Sequence, residues 1–145
     1  MISIRRMTAG DVEAAQGLLS QLGYQMDLQE VRRRYSAVAR SGDHEVIVAE
    51  QSGQIIAFCH VYARPALDKP PEAVVQALVV DQASRSAGVG KKMMIAAEKW
   101  ATDRGFASIA LTSQLSRSDA HAFYESIGYQ RVATSDLFRK TLKMM

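Results

Sequence analysis

The 145-residue chain is short of the residues that build redox or metal frameworks, with one cysteine, three prolines and three histidines. A single thiol, Cys59, excludes an internal disulfide framework and a cysteine-based zinc site, and its apolar surroundings read as a small buried side chain. His44, His60 and His121 are dispersed without an H-x-x-x-H pair, so no metal is expected. No apolar run approaches the roughly 20 residues that cross a bilayer. Acidic Asp11 and Glu13 stand where a secretory leader needs an apolar stretch. These absences predict a soluble, cytoplasmic protein with no membrane partner. The net charge of +3 is mild and dispersed apart from Arg32-Arg33-Arg34, which reads as a solvated helix face. Nucleic-acid binding is not expected, whereas a polyanionic small ligand fits this charge.

What is present is one domain's worth of alternating patterns, 1–145, without repeats, low-complexity tracts or a linker. Residues 2–6 alternate as a strand, and Thr8 is placed to cap a helix over 9–22 with Val12, Ala15, Leu18, Leu19 and Leu22 on one face. Asp27 caps a second helix bearing Leu28, Val31, Tyr35 and Val38. Strands over 45–50 and 54–63 flank the turn signal Gln51-Ser52-Gly53. Residues 73–81 are apolar on both faces and read as the central strand. Val89, Met93, Ala96, Ala97 and Trp100 line one face of the next helix, which Gly105 stops. A buried strand over 107–112, a helix from Ser118 or Asp119 through Ile127 capped by Gly128, and strands around 129–133 and 137–142 complete the order β-α-α-β-β-β-α-β-α-β-β. The expected fold class is α/β (α+β): three layers around a mixed, mostly antiparallel sheet.

The densest signal is Val79-Val80-Asp81-Gln82-Ala83-Ser84-Arg85-Ser86-Ala87-Gly88-Val89-Gly90, an apolar strand passing through a turn into a helix. Glycine lets the main chain turn tightly and approach a ligand, and the first amides of the helix lack partners within it. Such donors, with the positive end of the helix dipole, suit a pyrophosphate. The alternative is a hinge glycine with no ligand. The G-x-x-x-x-G-K-S/T spacing of a nucleotide-binding loop is missing, and Lys91 follows the wrong pattern.

About 30 residues later stands Arg117-Ser118-Asp119-Ala120-His121-Ala122-Phe123-Tyr124-Glu125-Ser126-Ile127-Gly128-Tyr129. With both segments, the chain resembles the GCN5-related N-acetyltransferases (GNAT). Their Arg/Gln-x-x-Gly-x-Gly/Ala signature is matched by Arg85, Gly88 and Gly90, and their Ala-x-x-Phe-Tyr-Glu-x-x-Gly-Phe/Tyr pattern by Ala120, Phe123, Tyr124, Glu125, Gly128 and Tyr129. The later segment is also similar to the branch that includes aminoalkylphosphonate N-acetyltransferases.

The resemblance implies a transferase: an acetyl-CoA-dependent N-acetyltransferase acting on a primary amine of a small molecule, by direct attack in a ternary complex. It implies that the amides of residues 82–91, chiefly Arg85, Ser86, Ala87, Gly88, Val89, Gly90 and Lys91, cradle the pyrophosphate. Leu78, Val79 and Val80 would pair with the pantetheine arm beside a bulge near Val79 and Val80, which in family members splays the sheet at its centre and opens a slot. The Val80 amide would stabilise the oxyanion, and Tyr124, a phenol protonated at neutral pH, would protonate the leaving sulfur. Arg117 stands where many members carry an Asn that holds the pantetheine arm, with Ser116 or Asp119 as alternatives for that contact. Tyr24, Tyr35 and Tyr62 read as packing or pocket-wall residues.

The base is left open. The phosphonate branch carries a glutamate at the position of Ala77, so Glu45, Glu72, His60 and His121 are the candidates, acting directly or through water, with Gln76 able to orient but not to accept a proton. A homodimer paired through sheet edges or C-terminal strands also fits the resemblance. Two other functions remain in competition: acetylation of a peptide or protein amine, and a non-catalytic acyl-CoA sensor, which the missing strand carboxylate favours.

Overall fold

The computed structural model describes residues 1–113 and 116–143, the Ser86 side chain excepted. It divides into two compact units, Met1–Leu111 and Thr112–Met145.

The first unit holds a five-stranded sheet in the order β1-β2-β3-β4-β5. The strands are β1 (Ile2–Arg6), β2 (His44–Gln51), β3 (Gln54–Arg64), β4 (Glu72–Val80) and β5 (Ile109–Ala110). The first four pair antiparallel and β5 joins β4 in parallel, so the sheet is mixed and mostly antiparallel as the patterning predicts. The place of β4 differs from expectation: β3 is the middle strand, and β4 lies between it and the short β5. β5 is also shorter than the predicted 107–112, because its ladder stops after Ala73–Ile109 and Val74–Ala110.

Helices α1 (Val12–Gln21) and α2 (Leu28–Ala39) cover one face of this sheet, and α3 (Val89–Asp103) covers the other. Met7, Val12, Ala15, Leu18, Val31, Val48, Phe58 and Val79 form the core on the α1/α2 side. On the α3 side, Val89, Met93, Met94, Ala97 and Ala101 are buried. Strand side chains alternate between the faces, which is why β3 and β4 are apolar on both.

Local chemistry sets the boundaries. Asp27 accepts from the Glu30 amide at 2.8 Å and starts α2. The β2–β3 hairpin turns on Ser52 and Gly53, both at positive φ (53° and 78°), the geometry that two-residue hairpin loops require. The predicted helix over 9–22 begins instead as a 3₁₀ turn, Ala9–Asp11. Here the Asp11 carboxylate accepts from the Thr8 amide at 2.9 Å and from both terminal nitrogens of Arg5 at 2.8 and 2.9 Å. Those bonds hold Asp11 below the usual carboxylate range, with Arg5 the largest cause.

In the second unit, α4 (Ser118–Ser126) forms as expected and Gly128 follows at φ 100°. The expected strands around 129–133 and 137–142 do not form: residues 129–143 adopt no ladder. Alternating apolar residues give a segment only the capacity to pair. A strand exists when a neighbour takes its amides and carbonyls, and none among the described residues does so here.

Candidate active site

The site is built around a change in β4. Between His60 and Val61 the β3–β4 register shifts: His60 lies opposite Ala77 and Val61 opposite Val75, leaving Gln76 as an extra, exposed residue. The bulge therefore sits at Gln76 rather than near Val79 and Val80, which pair regularly with Phe58 and Ala57. Its effect reaches those residues all the same. Before the bulge, the Ala73 amide points to the β5 side and donates to the Ser108 carbonyl at 3.3 Å. After it, the Asp81 amide points to the β3 side and donates to Ile56 at 2.8 Å. Main-chain groups alternate in direction every residue along a strand, so Val79 and Ala77 also face β3 while Leu78 and Val80 face away. Without the extra residue, Val80 would face β3.

β5 pairs only with Ala73 and Val74, so among the described residues no strand adjoins β4 on that side from Val75 to Val80. This is the splay that the family resemblance implies, placed between the fourth and fifth strands and not at the centre of the sheet. The Leu78 and Val80 main-chain groups face the opened side, and the Val80 carbonyl there accepts from Arg85 Nε at 3.4 Å.

The chain then runs through a 3₁₀ helix, Gln82–Ala87, to Gly88, which is left-handed at φ 75°, ψ 16° and starts α3. A Cβ at Gly88 would meet open space, so the backbone conformation, not crowding, is what asks for glycine there. No side chain caps α3. Lys92 is the first amide to reach back, to Gly88 O at 3.2 Å, and so Val89, Gly90 and Lys91 carry amides with no acceptor inside the helix.

Not every amide expected in the cradle is available. The Gln82 amide donates to Gln21 Oε1 at 3.0 Å and the Ser84 amide to the Asp81 carbonyl at 2.9 Å. Gln21, at the end of α1, also donates to Asp81 Oδ1 at 2.9 Å and thereby braces the start of the loop. Sequence reasoning missed this residue, because a contact 61 positions apart leaves no local signal. The Ser86 side chain lies outside the described residues.

In the second unit, Tyr124 is half-buried between Phe123 and Tyr129, with ring centroids 5.1 and 5.9 Å away and both pairs edge-on. Arg117 precedes α4 and lies 4.0 Å from Asp119, both exposed. His121 Nδ1 is 2.7 Å from Arg131 Nη2. A guanidinium only donates, so Nδ1 is the acceptor there and the remaining proton of a neutral His121 is on Nε2.

The other candidate bases are held elsewhere. Glu45 pairs with Arg6 at 2.8 Å, and its register partner Val61 puts it on the face opposite His60. Glu72 accepts from Arg64 at 2.6 Å and from Ser108 Oγ at 3.0 Å. His60 differs: its Nε2 lies 2.8 Å from Nδ1 of His44, whose ring stacks on Tyr62 at 5.0 Å. Burial, then the charge of His44, pushes His60 down to about 4. A second bulge brings the two histidines together. Ile56 is unmatched between Ala49–Ala57 and Glu50–Ile55; without that extra residue, His44 and His60 would lie on opposite faces.

Cys59 is buried with its thiol pushed up to about 12 by burial, which makes it a packing residue and not a nucleophile. A cleft of about 530 Å³ opens between α1 and the hairpin turn, lined by Asp11, Glu13, Gln21, Glu50 and Asp81 among others. Its carboxylates at 11 and 50 are tied to Arg5 and that at 81 to Gln21, and neither Leu78 nor the start of α3 lines it. Among the described residues no group of three His, Cys, Asp or Glu side chains suits a metal, and no helix is long and apolar enough to cross a membrane.

An open strand edge leading into an uncapped helix start is an arrangement chemically able to take an extended ligand by its main chain and an anion at the helix end. The chain belongs to the acetyltransferase (GNAT) family, which it matches over residues 12–129. It is 28% identical over 142 residues to the Bacillus subtilis protein named "Uncharacterized N-acetyltransferase YhdJ", covering 97% of this chain and 99% of that one. It is 29% identical over 100 residues to aminoglycoside N(6')-acetyltransferase type 1 of Klebsiella aerogenes, covering 67% of this chain and 66% of the other. Its fold is shared with the aminoglycoside N-acetyltransferase AAC(6')-Iy solved in complex with CoA, at TM-score 0.88, 19% identity and coverage of 97% and 95%.

Proposed function

We propose that this protein is an acetyl-CoA-dependent N-acetyltransferase that acetylates a primary amine of a small molecule by direct attack in a ternary complex. The observation that carries this reading is the opened edge of β4, with Leu78 and Val80 facing out, continuous with the uncapped amides of Val89, Gly90 and Lys91. The family match and the CoA complex of the structural neighbour AAC(6')-Iy support acetyl-CoA as the ligand that suits this edge. When bound, it supplies an activated acetyl group as a thioester.

The chain's own groups divide the work. The amides of Val89, Gly90 and Lys91, with those of Arg85, Ser86, Ala87 and Gly88, bind the pyrophosphate at the helix end. The Leu78 and Val80 main chain aligns the pantetheine arm as an added strand, and the Val80 N–H donates to the acetyl oxygen as charge gathers on it. Val79 faces β3 and contributes through the sheet instead. The Tyr124 hydroxyl donates its proton to the departing sulfur, with Arg117 on the cofactor side. The family match runs through both units, which supports reading 1–145 as one acetyltransferase domain and Tyr124 as part of the same reaction. The aminoglycoside acetyltransferase relative supports a small amine, such as an amino sugar or polyamine, as acceptor. Exposed Val132, Leu137, Phe138 and Leu142 in the stretch without a ladder support a homodimer, which sedimentation would test as a doubled mass.

The direct test measures thiol release from acetyl-CoA across polyamines, amino sugars, aminoglycosides and peptides. Amine-dependent release with free small amines is expected, and Tyr124→Phe is expected to lower kcat by about 100-fold with cofactor affinity by calorimetry unchanged. Unchanged turnover in that variant removes Tyr124 as the acid. Release only with peptides identifies a peptide acetyltransferase, and binding without release across the panel identifies an acyl-CoA sensor. The absence of a carboxylate at Ala77 is the observation that favours the sensor.

A further inference from the structure

The opened edge of β4 carries a contact of its own. An arm with its thioester at the Val80 N–H and its phosphates at the start of α3 has to pass the Val80 carbonyl, at the outward-facing end of the strand. That carbonyl already accepts from Arg85 Nε at 3.4 Å. A carbonyl has two lone pairs, but a guanidinium is planar and broad, and bonded here it stands across the approach of a second donor.

The loop is held without this contact. Gln21 braces its start through bonds of 2.9 and 3.0 Å, and the Ser84 amide closes back on the Asp81 carbonyl at 2.9 Å. The Arg85 bond is longer than these, and its side chain is exposed. The carboxylate nearest to it in the sequence, Asp81, is engaged by Gln21 instead. Beyond it, α3 opens with Lys91 and Lys92 and with no acidic residue in its first turn, so cations gather at the positive end of the helix dipole. A guanidinium bonds a phosphate through charge-assisted, forked contacts, which a long bond to one neutral carbonyl does not match.

We propose that Arg85 is a latch on this edge: its guanidinium covers the Val80 carbonyl and is drawn off it by a phosphate, so that the phosphate end of the cofactor engages first and clears the strand for the arm. This rests on the acetyl-CoA reading and adds to it an order of engagement set by one side chain. By linkage, a phosphate that releases the latch tightens the arm, and the arm tightens the phosphate by the same factor.

The test separates the two ends of the cofactor. Pantetheine, the arm without phosphates, has to displace Arg85 without offering it a new partner, whereas CoA offers one. Pantetheine affinity by ligand-observed NMR and CoA affinity by calorimetry are compared between the wild type and Arg85→Met, which keeps the length of the side chain and removes its donors. The variant is expected to bind pantetheine about 3-fold more tightly and CoA about 10-fold more weakly. A plain phosphate ligand would leave pantetheine unmoved, and a structural brace would weaken both. Inorganic phosphate added at constant ionic strength is expected to tighten pantetheine on the wild type by about 3-fold and on Arg85→Met not at all. Pantetheine affinity unchanged or lowered in the variant overturns the latch, as does an equal gain from phosphate in both proteins. Pantetheine binding too weak to detect in the wild type supports the latch when Arg85→Met binds measurably and overturns it when neither does. Should the variant fail to fold, as judged by circular dichroism, the phosphate effect on the wild type decides: a gain supports the latch and no gain overturns it. Failure of CoA to bind the wild type overturns the acetyl-CoA reading itself and the latch with it, which no Arg85 result alone would do.

Discussion

The two halves of β4 are one strand with two fates. From Glu72 to Val74 it is hemmed in, with β3 on one side and β5 bonded at Ala73 and Val74 on the other. From Ala77 to Val80 it keeps β3 but has no strand beside it among the described residues, and its alternate main-chain groups face outward. Side chains do not account for the contrast, since Val74, Val75 and Val79 are all buried valines. One extra residue, Gln76, and a neighbour that ends two residues after it begins convert a structural element into a binding edge.

Proline breaks that comparison most sharply. Val79→Pro removes an amide that faces β3 and is expected to destabilise the fold by roughly 3 kcal/mol, seen as a large fall in Tm. Val80→Pro removes one that faces the opened side, where a sheet tolerates proline, and is expected to keep most of the Tm while losing about 100-fold or more in kcat. Equal loss of stability in the two variants would show that Val80 also bonds within the sheet. At the far end of the loop, Gly88→Ala forces a Cβ into the left-handed region at an expected cost of about 1–2 kcal/mol, with weaker cofactor binding by calorimetry.

A pH titration of stability sharpens the contrast on the opposite side of the strand. His60 is depressed from 6.5 to about 4, so between those values the unfolded chain binds a proton that the folded chain does not. Stability from this group is full above pH 6.5, declines as pH falls and is lost below about 4; His60→Gln is expected to flatten the Tm profile in that window. The smallest effect belongs to Gln21→Ala, which releases two hydrogen bonds at an exposed brace and is expected to cost about 1 kcal/mol, with a modest rise in KM for acetyl-CoA.

Features written in adjacent residues were legible in the sequence. Asp27 opening α2, Ser52-Gly53 turning the hairpin and Gly88 opening α3 each require a particular residue at a particular backbone angle. The buried faces of α1, α2 and α3 follow from apolar spacing in the same way. The bulges were not legible, because inserting one residue between strands depends on both partners and on the helices packed above them. Gln76, a lone polar residue in Ala73-Val74-Val75-Gln76-Ala77-Leu78, was the one available hint. Overlooking a bulge changes more than a boundary: it reverses the direction of the Val80 amide and the face on which His60 meets His44. The strands expected in 129–142 failed for a related reason, since alternation states what a segment is able to pair with and not whether a partner is there.

The buried position of Cys59 has an experimental consequence. As the chain's single thiol, set in the middle strand between the two packed faces, it is shielded from reagents while β3 stays closed. Its labelling by a thiol reagent therefore clocks the opening of the sheet, and the native sequence carries its own stability gauge without an engineered probe.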